Sequence, residues 1–193
     1  MARGNPWQYT RRYVHSPYHL VRTREIYRNP WISVREDEVR RPDGAVAFFG
    51  IVEMKAGSSV LAINDRDEAY LVREFKYAVG RETLEVVSGG IEPGESPLGA
   101  ARRELKEEAG LEAAEWIGMG SIDPFTTVVS SPNHLFLALG ITEGGPRPEA
   151  GEVLRMEKIP FPRVLEMLAA GEITHAASNV LILQAARRLA GRR

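Results

Sequence analysis

The chain has 193 residues, of which 44% are hydrophobic and 26% charged, and its formal net charge is −1. This length suits one medium domain with an appendage, or two small domains that share an interface. Because acidic and basic residues balance, no basic field exists that would draw the protein to nucleic acid or to an anionic membrane. No apolar run approaches the roughly 20 residues that a membrane-spanning helix needs. We therefore expect neither partner.

Cysteine is absent from the chain. Its absence excludes disulfides and thiolate chemistry, and it is typical of a cytoplasmic protein. The first thirteen residues, MARGNPWQYTRRY, lack the apolar centre of a secretory signal. We therefore expect a cytoplasmic protein.

The first third of the sequence predicts a β hairpin. Residues 31–39 and 46–54 alternate as strands do, and Pro42-Asp43-Gly44 between them is typical of a turn. The small and polar run at 56–59 suggests a boundary, which predicts an N-terminal β region over 1–56 and a second domain over 57–193. A hairpin of this size is marginal alone, so its partner would be a second copy of the chain or the domain that follows.

After the boundary, strands interleave with helices. The patterns predict strands at 60–64, 69–73, 84–88, 116–122, 134–141 and 152–159, and helices at 162–170 and 176–190. This alternation favours an α/β (α+β) fold in which helices cover a mixed sheet.

The strongest helix signal lies between Ser96 and Gly110. Ser96 suits the capping position, Pro97 the first helical position, and Gly110 the left-handed residue after the last turn. Apolar residues share one stripe that must pack on a core: Leu98, Ala101, Leu105 and Ala109.

Beside that stripe, Glu104, Glu107 and Glu108 lie at helical spacings that bring their carboxylates together. Carboxylate oxygens are hard ligands, so the expected ion is Mg²⁺, with Mn²⁺ also suitable. Arg103 would orient one carboxylate. Alone, such a face is more often solvated and binds nothing. The preceding glycine loop and Glu95 favour the metal site.

Residues 89–111 fit the spacing G-x5-E-x7-R-E-U-x-E-E-x-G-U without a mismatch, and this resembles the signature of the Nudix hydrolases. Such enzymes cleave a nucleoside diphosphate linked to another group. The resemblance implies an α/β/α sandwich with a mixed sheet and a bound Mg²⁺ or Mn²⁺. It implies catalytic roles for Arg103, Glu104, Glu107 and Glu108, and metal ligation by Glu104, Glu107, Glu108 and the Ser88 carbonyl.

Outside this motif the chain is similar to the ADP-ribose and nucleotide-sugar pyrophosphatase branch. The similarity rests on the N-terminal hairpin region, on residues 71–77 and 84–90, and on Ser131-Pro132 with residues 135–138. It implies Mg²⁺-dependent hydrolysis of a nucleoside diphosphate sugar, with ADP-ribose as the next candidate. It also implies a homodimer built by the hairpin region.

The chain departs from this branch at two places. Ser88 replaces the usual alanine before the motif, although only a backbone carbonyl is needed there. The acidic loop between the Ser-Pro pair and the next strand is missing, and with it the glutamate that would act as base or extra ligand. Glu107 is then either ligand or base. Substitute bases could come from a later loop, although each is more often a solvated charge: Glu143, Glu149 and Glu152.

Cationic and backbone groups near the motif are candidates for substrate binding: Arg73, Lys76, Arg81, Gly89, Gly90 and His134. Arg73 is equally well explained as an exposed strand residue, and His134 more readily as a capping or surface residue. Three aromatic residues could stack on a nucleobase, although aromatic residues on strands more often join the core: Trp31, Phe49 and Tyr77.

Two other functions compete with this interpretation. A Nudix hydrolase of nucleoside triphosphates or dinucleoside polyphosphates is disfavoured by the N-terminal extension and the Ser-Pro segment. A non-catalytic module that senses a nucleotide is disfavoured because every motif glutamate is present and no helix-turn-helix pattern appears.

Overall fold

The computed structural model describes residues 16–144 and 154–191, which form two compact units. Of the described residues, the first unit comprises 16–56 together with Asp123–Pro132. The second comprises Gly57–Ile122, 133–144 and 154–191. The chain therefore leaves the second unit after Ile122, contributes ten residues to the first, and returns at Asn133.

The first unit is a four-stranded sheet in the order β1-β2-β3-β9. Its strands are β1 His19–Arg28, β2 Ile32–Arg40, β3 Val46–Met54 and β9 Val129–Ser130. All pairs are antiparallel except β3 with β9. The predicted hairpin is present, and Gly44 at its turn has a φ of 82°, which glycine adopts readily. The sequence analysis missed β1 and β9.

The second unit contains the larger sheet, in the order β11-β5-β4-β10-β8, with β6 beside β5 and β7 beside β4. Its strands are β4 Gly57–Ile63, β5 Glu68–Lys76, β6 Arg81–Glu85, β7 Val87–Gly90, β8 Leu111–Ile122, β10 Asn133–Glu143 and β11 Leu154–Pro160. Its helices are α1 Pro97–Ala109, α2 Phe161–Ala169 and α3 Ala176–Ala190, and a 3-10 turn covers Tyr77–Val79. Because β4 and β10 are parallel and the other pairs antiparallel, the sheet is mixed, as predicted.

Alternation along β4 shows how the layers form. Val60 and Ala62 pack in one core cluster with Ala101 and Leu105 of α1. Leu61, the residue between them, packs in the other cluster with residues of α2 and α3. Successive side chains of a strand point to opposite faces. The sheet therefore lies between α1 on one side and α2 with α3 on the other, which confirms the expected sandwich.

The predicted strand at 84–88 is two strands, which differs from the expectation. The strand is interrupted at Val86, between β6 and β7. The Val86 backbone N–H donates a hydrogen bond to Ser178 Oγ at 3.0 Å. This bond takes the N–H away from the strand ladder, so β6 continues along β5 and β7 along β4. A tertiary contact from α3 thus sets the approach to the glycine loop.

Other element boundaries shift by a few residues. Strand β8 begins at Leu111 rather than at residue 116, and α2 begins one residue early, at Phe161. Helix α3 has the predicted bounds. For the strand predicted at 152–159, the first two residues lie outside the described part. Within residues 16–144 and 154–191, no helix combines the length and the apolar character that crossing a membrane requires.

Candidate active site

Helix α1 begins and ends as the sequence predicts. Ser96 Oγ accepts a hydrogen bond from the Gly99 N–H at 3.0 Å, Pro97 occupies the first turn, and Gly110 has a φ of 64°. The stripe is buried at Ala101, Leu105 and Ala109, and Ala100 joins them, whereas Leu98 is half-buried. This packing fixes the rotation of the helix and hence the direction of its acidic face.

Arg103 connects that face to the glycine loop. Its Nη1 donates to Glu104 Oε1 at 2.7 Å and to Glu107 Oε2 at 3.1 Å. Its Nε and Nη2 each donate to Glu95 at 3.1 Å, and Nη2 also reaches the Gly90 carbonyl at 2.9 Å. The bonds to Glu95 chiefly raise the pKa of Arg103, and the guanidinium lowers the pKa of the Glu95 carboxyl. Arg103 and Glu95 therefore both stay charged near neutral pH.

Gly89 provides the space in which Glu104 lies. A Cβ built on Gly89 would lie 2.0 Å from the carboxyl carbon and from Oε1 of Glu104, far inside van der Waals contact. The carboxylate of Glu104 thus rests directly against the backbone of the loop. Any side chain at position 89 would displace it.

Glu108 and Ser88 lie in a shallow depression beside this contact. The depression is also lined by Glu74, Lys76 and Glu85. Burial lowers the pKa of Lys76, but its bond to Glu74 and the charges of Glu85 and Glu108 outweigh this effect and raise the pKa overall. A charged amine therefore lies among the carboxylates of the depression.

The hydroxyl of Ser88 is bonded to two neighbouring groups. Its Oγ donates to the Val86 carbonyl at 3.1 Å and lies 2.8 Å from Ser59 Oγ. These bonds fix the peptide that leads into the loop, so the identity of the side chain matters less there than the position of its carbonyl.

Other predicted binding residues are held elsewhere. Arg73 forms an ion pair with Glu157 of the neighbouring strand β11, and Arg81 donates to Thr174 Oγ1 at 2.9 Å. His134 on β10 lies opposite Ser58 of β4, which in turn lies opposite Gly89. Strands are spaced about 4.8 Å apart, so His134 lies roughly 10 Å from the loop across the sheet. The structure does not bring these three residues to the depression.

Of the later glutamates considered as bases, only Glu143 lies in the described part; Glu149 and Glu152 fall outside it. Glu143 Oε1 accepts bonds from the Tyr70 hydroxyl at 2.7 Å and from Lys158 Nζ at 2.6 Å. Lys158 and then Tyr70 lower the pKa of the Glu143 carboxyl. A carboxylate stabilised in this way is a weak base.

The interpretation of the three aromatic residues as core was wrong. Trp31 is 70% exposed, Phe49 38% and Tyr77 93%. Trp31 lies just before β2 and Tyr77 opens the 3-10 turn, where neither meets a packed layer. The alternation of apolar and polar residues along a strand does not by itself show which face or which end other parts of the protein cover.

Sequence reasoning missed His175 beside the depression. Its Nδ1 lies 3.3 Å from Glu85 Oε2 and 2.9 Å from Ser178 Oγ. Burial chiefly lowers the pKa of this imidazole, Lys76 lowers it further, and Glu85 opposes both. One feature of the sequence could have drawn attention to His175. It occupies the N-terminal capping position of α3, where Ser, Thr, Asp or Asn is usual.

The donors fit a hard divalent ion in kind. Glu104, Glu107 and Glu108 offer carboxylate oxygens and the loop offers carbonyls, which are the ligands that Mg²⁺ and Mn²⁺ prefer. Within residues 16–144 and 154–191, no group of three or more acidic or histidine side chains stands ready to hold an ion. The guanidinium of Arg103 instead bridges Glu104 and Glu107. Glu104 and Glu107 thus meet at a cationic side chain, whereas Glu108 lines the depression with Ser88.

Comparison with known proteins identifies the family. A family model described as "NUDIX domain" matches residues 54–178, and one described as "Nucleoside diphosphate sugar hydrolase N-terminal domain" matches residues 18–52. An ADP-ribose pyrophosphatase of Mycobacterium tuberculosis is 27% identical over 174 residues, which cover 87% of this chain and 84% of the relative. An ADP-sugar pyrophosphatase of Mus musculus is 29% identical over 161 residues, which cover 75% and 74%.

A solved structure described as an ADP compounds hydrolase has the same fold. The two superpose with a TM-score of 0.81 at 20% sequence identity, over 92% of this chain and 96% of that one. The resemblance drawn from the motif is confirmed. With its motif intact on a loop and helix of the expected geometry, the chain belongs to the Nudix hydrolase family.

Proposed function

We propose that this chain hydrolyses the pyrophosphate bond of a nucleoside diphosphate sugar in the presence of a divalent ion, releasing a nucleoside monophosphate and a sugar phosphate. The observation that carries the proposal is the position of the Glu104 carboxylate against the Gly89 backbone. Arg103 donates hydrogen bonds to this carboxylate and to those of Glu95 and Glu107. The relatives named for ADP-ribose and ADP-sugar hydrolysis support this substrate class.

In this proposal Glu104, Glu108 and the Ser88 carbonyl hold the ion, which is Mg²⁺ or Mn²⁺. The bound ion supplies positive charge that offsets the charge developing on the phosphate oxygens. The bonds of the Ser88 hydroxyl to Val86 and Ser59 fix the peptide at this position, which supports a role for its carbonyl. Glu107 serves either as a further ligand or as the base, since its bond to Arg103 holds it beside Glu104.

The reaction is attack of a water molecule on one phosphorus, with the other phosphate leaving. Among the three cations considered for the pyrophosphate, Lys76 has the best support, because it lines the same depression as Glu108. Arg73 instead forms an ion pair with Glu157, and Arg81 donates a hydrogen bond to Thr174. Each arginine would need to leave its partner to reach the substrate.

A coupled phosphate-release assay tests the substrate class. The protein would be incubated with ADP-ribose, UDP-glucose, GDP-mannose, NADH, diadenosine polyphosphates and nucleoside triphosphates. For the diphosphate sugars, NADH and the diadenosine polyphosphates, a phosphatase then frees phosphate only from newly formed terminal phosphates. Hydrolysis of the nucleoside triphosphates, which a phosphatase attacks directly, is followed by chromatography instead. We expect hydrolysis of one or more diphosphate sugars with Mg²⁺ or Mn²⁺, and none after chelation by EDTA.

Faster hydrolysis of triphosphates or dinucleoside polyphosphates than of any diphosphate sugar would instead support the first alternative. Tight nucleotide binding without turnover of any compound would support the sensing module. Identifying the released nucleotide by chromatography distinguishes cleavage within the pyrophosphate from cleavage at the sugar.

The proposal includes a homodimer formed through the first unit. Large apolar side chains of that unit are exposed: Leu20, Val21, Ile26, Tyr27, Trp31, Val46 and Phe48. Strand β1 is in addition a ten-residue sheet edge. An exposed apolar patch and a long free edge are both features of a surface that pairs with another chain.

The proposal also includes a cytoplasmic location, which rests on the absence of cysteine alone.

Light scattering during size-exclusion chromatography tests the dimer. We expect the wild type to have twice the mass of one chain, and the double variant Tyr27→Lys/Phe48→Lys to have the mass of one. Leu183→Lys is the matched control, because Leu183 is 56% exposed on α3 of the second unit and its replacement should leave the mass unchanged. A wild type that elutes as a single chain at all concentrations would contradict the dimer.

A further inference from the structure

Glu85 is held through both of its carboxylate oxygens. Its Oε1 accepts a bond from Thr83 Oγ1 at 2.7 Å, and its Oε2 lies 3.3 Å from His175 Nδ1. The Glu85 side chain is only 13% exposed. A carboxylate restrained from two sides in this way has one preferred orientation.

Ser178 links this arrangement to the backbone. Its Oγ accepts the Val86 N–H at 3.0 Å and lies 2.9 Å from His175 Nδ1, and the residue is fully buried. The same hydroxyl therefore sets the break between β6 and β7 and the position of the imidazole. Since β7 leads into the glycine loop, the start of α3 is mechanically connected to the candidate active site.

The restrained carboxylate faces the site. Glu85 lines the depression that contains Lys76, Ser88 and Glu108, and its charge contributes to the raised pKa of Lys76. Nothing in the motif requires this arrangement, because His175 is 66 residues beyond Ala109, where the helix that carries the motif glutamates ends.

We propose that His175 is a positioning residue, which holds the Glu85 carboxylate beside Lys76 during pyrophosphate hydrolysis. The inference rests on the proposed function, because the depression is taken as part of that active site. His175 touches Glu85 and Ser178 rather than the depression itself, so it acts through Glu85.

The imidazole has two bonding states with different consequences. In the neutral ring, the nearby Glu85 carboxylate favours the tautomer with the proton on Nδ1, so that Nδ1–H faces Glu85 Oε2 and Ser178 Oγ and Glu85 stays beside Lys76. When the ring is protonated, Nδ1–H is a charged donor and Glu85 is its nearest carboxylate. The charged groups that face the ring are Glu85 on β6 and Lys76 at the end of β5, and Lys76 is in turn bonded to Glu74. Protonation should thus draw Glu85 away from Lys76.

Two substitutions separate positioning from simple structural support. In His175→Asn, the side-chain amide nitrogen occupies the place of Nδ1 but cannot become charged, and Asn is also favoured at a helix cap. His175→Ala removes the bond altogether. His19→Asn is the control, since His19 is an exposed residue of β1 outside this network.

We expect His175→Ala to lower kcat on the order of 10-fold with little change in KM, as for other residues that orient a functional group. His175→Asn should keep kcat near the wild-type value at neutral pH. The wild type and His19→Asn should lose kcat as pH falls through the histidine range, whereas His175→Asn should keep it to lower pH. Equal kcat and an unchanged pH profile in His175→Ala would overturn the proposal.

An NMR titration of the histidine ring provides a readout independent of activity. Glu85 is the group that raises the pKa of His175 against burial and Lys76. The Glu85→Gln variant should therefore lower the pKa of His175 further, and an unchanged value would overturn the proposal. If the wild type hydrolyses no diphosphate sugar but this shift is observed, the proposed function fails while the His175–Glu85 contact stands.

Discussion

The two units bury their strands very differently. In β4 of the second unit, the residues from Val60 to Ala62 have no exposed surface and Ile63 is 2% exposed. In the first unit, all ten residues of β1 are exposed. The second unit therefore has its own core on both faces of its sheet, whereas the first leaves apolar surface uncovered. The difference is the one that the proposal expects, with catalysis in the second unit and pairing of two chains through the first.

Each unit also contains an arginine among carboxylates, and the two clusters differ in what they hold. Arg35 bonds to Asp37 on its own strand and to Glu53 on the adjacent strand of the first unit. Arg103 bonds to three glutamates and to the Gly90 carbonyl. The first cluster joins strands that are already paired, while the second fixes a loop against a helix. An ion-pair cluster marks a candidate site only where it shapes backbone that can approach a ligand.

The largest expected effect tests the acidic face of α1. Glu108→Gln and Glu107→Gln should each lower kcat on the order of 10²–10³-fold, because each removes a carboxylate that is proposed to bind the ion or to accept the proton of the attacking water. Neither should reduce the free energy of unfolding by more than about 0.5 kcal/mol, since both side chains are partly solvated. Steady-state kinetics with saturating Mg²⁺ and urea unfolding measure the two quantities. Near-normal turnover in either variant would remove that residue from the site, and Glu38→Gln in the first unit is the control.

The next largest effect is expected when one leucine of each unit is replaced by alanine. Leu105 of α1 is fully buried and Leu20 of β1 is 57% exposed. Leu105→Ala should lower the free energy of unfolding by about 2–5 kcal/mol, as is usual for a buried leucine. Leu20→Ala should change it by less than about 0.5 kcal/mol in dilute protein. Chemical denaturation followed by circular dichroism measures both, and similar losses would contradict the difference between the units.

A smaller effect is expected from Gly89→Ala. The three atoms nearest to the new methyl group all belong to the Glu104 side chain, which can move. Stability should therefore change little, whereas displacement of the carboxylate should lower kcat by roughly 10–100-fold. Gly50→Ala in β3 is the matched control, because a Cβ there has open space. Full activity in Gly89→Ala would show that the contact between Glu104 and the loop is dispensable.

The smallest expected effect is on the pH dependence of the free energy of unfolding. The pKa of His175 is lowered in the folded protein, chiefly by burial, so the unfolded chain binds a proton there more readily than the folded one. The free energy of unfolding should therefore fall as the pH drops from the ordinary histidine range toward the folded pKa. In His175→Asn this part of the dependence should disappear. Urea unfolding at several pH values measures it, and identical curves for the two proteins would contradict the assignment.

The sequence by itself determined the elements with strong local signals. Helix α1 was predictable because its cap, its proline, its apolar stripe and its terminal glycine agree, and the family followed from fixed residues at fixed spacing. The hairpin of β2 and β3 was predictable for the same reason, since its turn residues determine the register of the strands they join.

The tertiary structure alone decided which groups meet. The break at Val86, the contact of His175 with Glu85, and the engagement of Arg73 by Glu157 all join residues more than 80 positions apart. Exposure of Trp31 and Tyr77 likewise depends on what covers them rather than on their own pattern. Local propensity acts over a few residues, whereas these contacts arise only when the sheet and its helices pack, so no short window of sequence contains them.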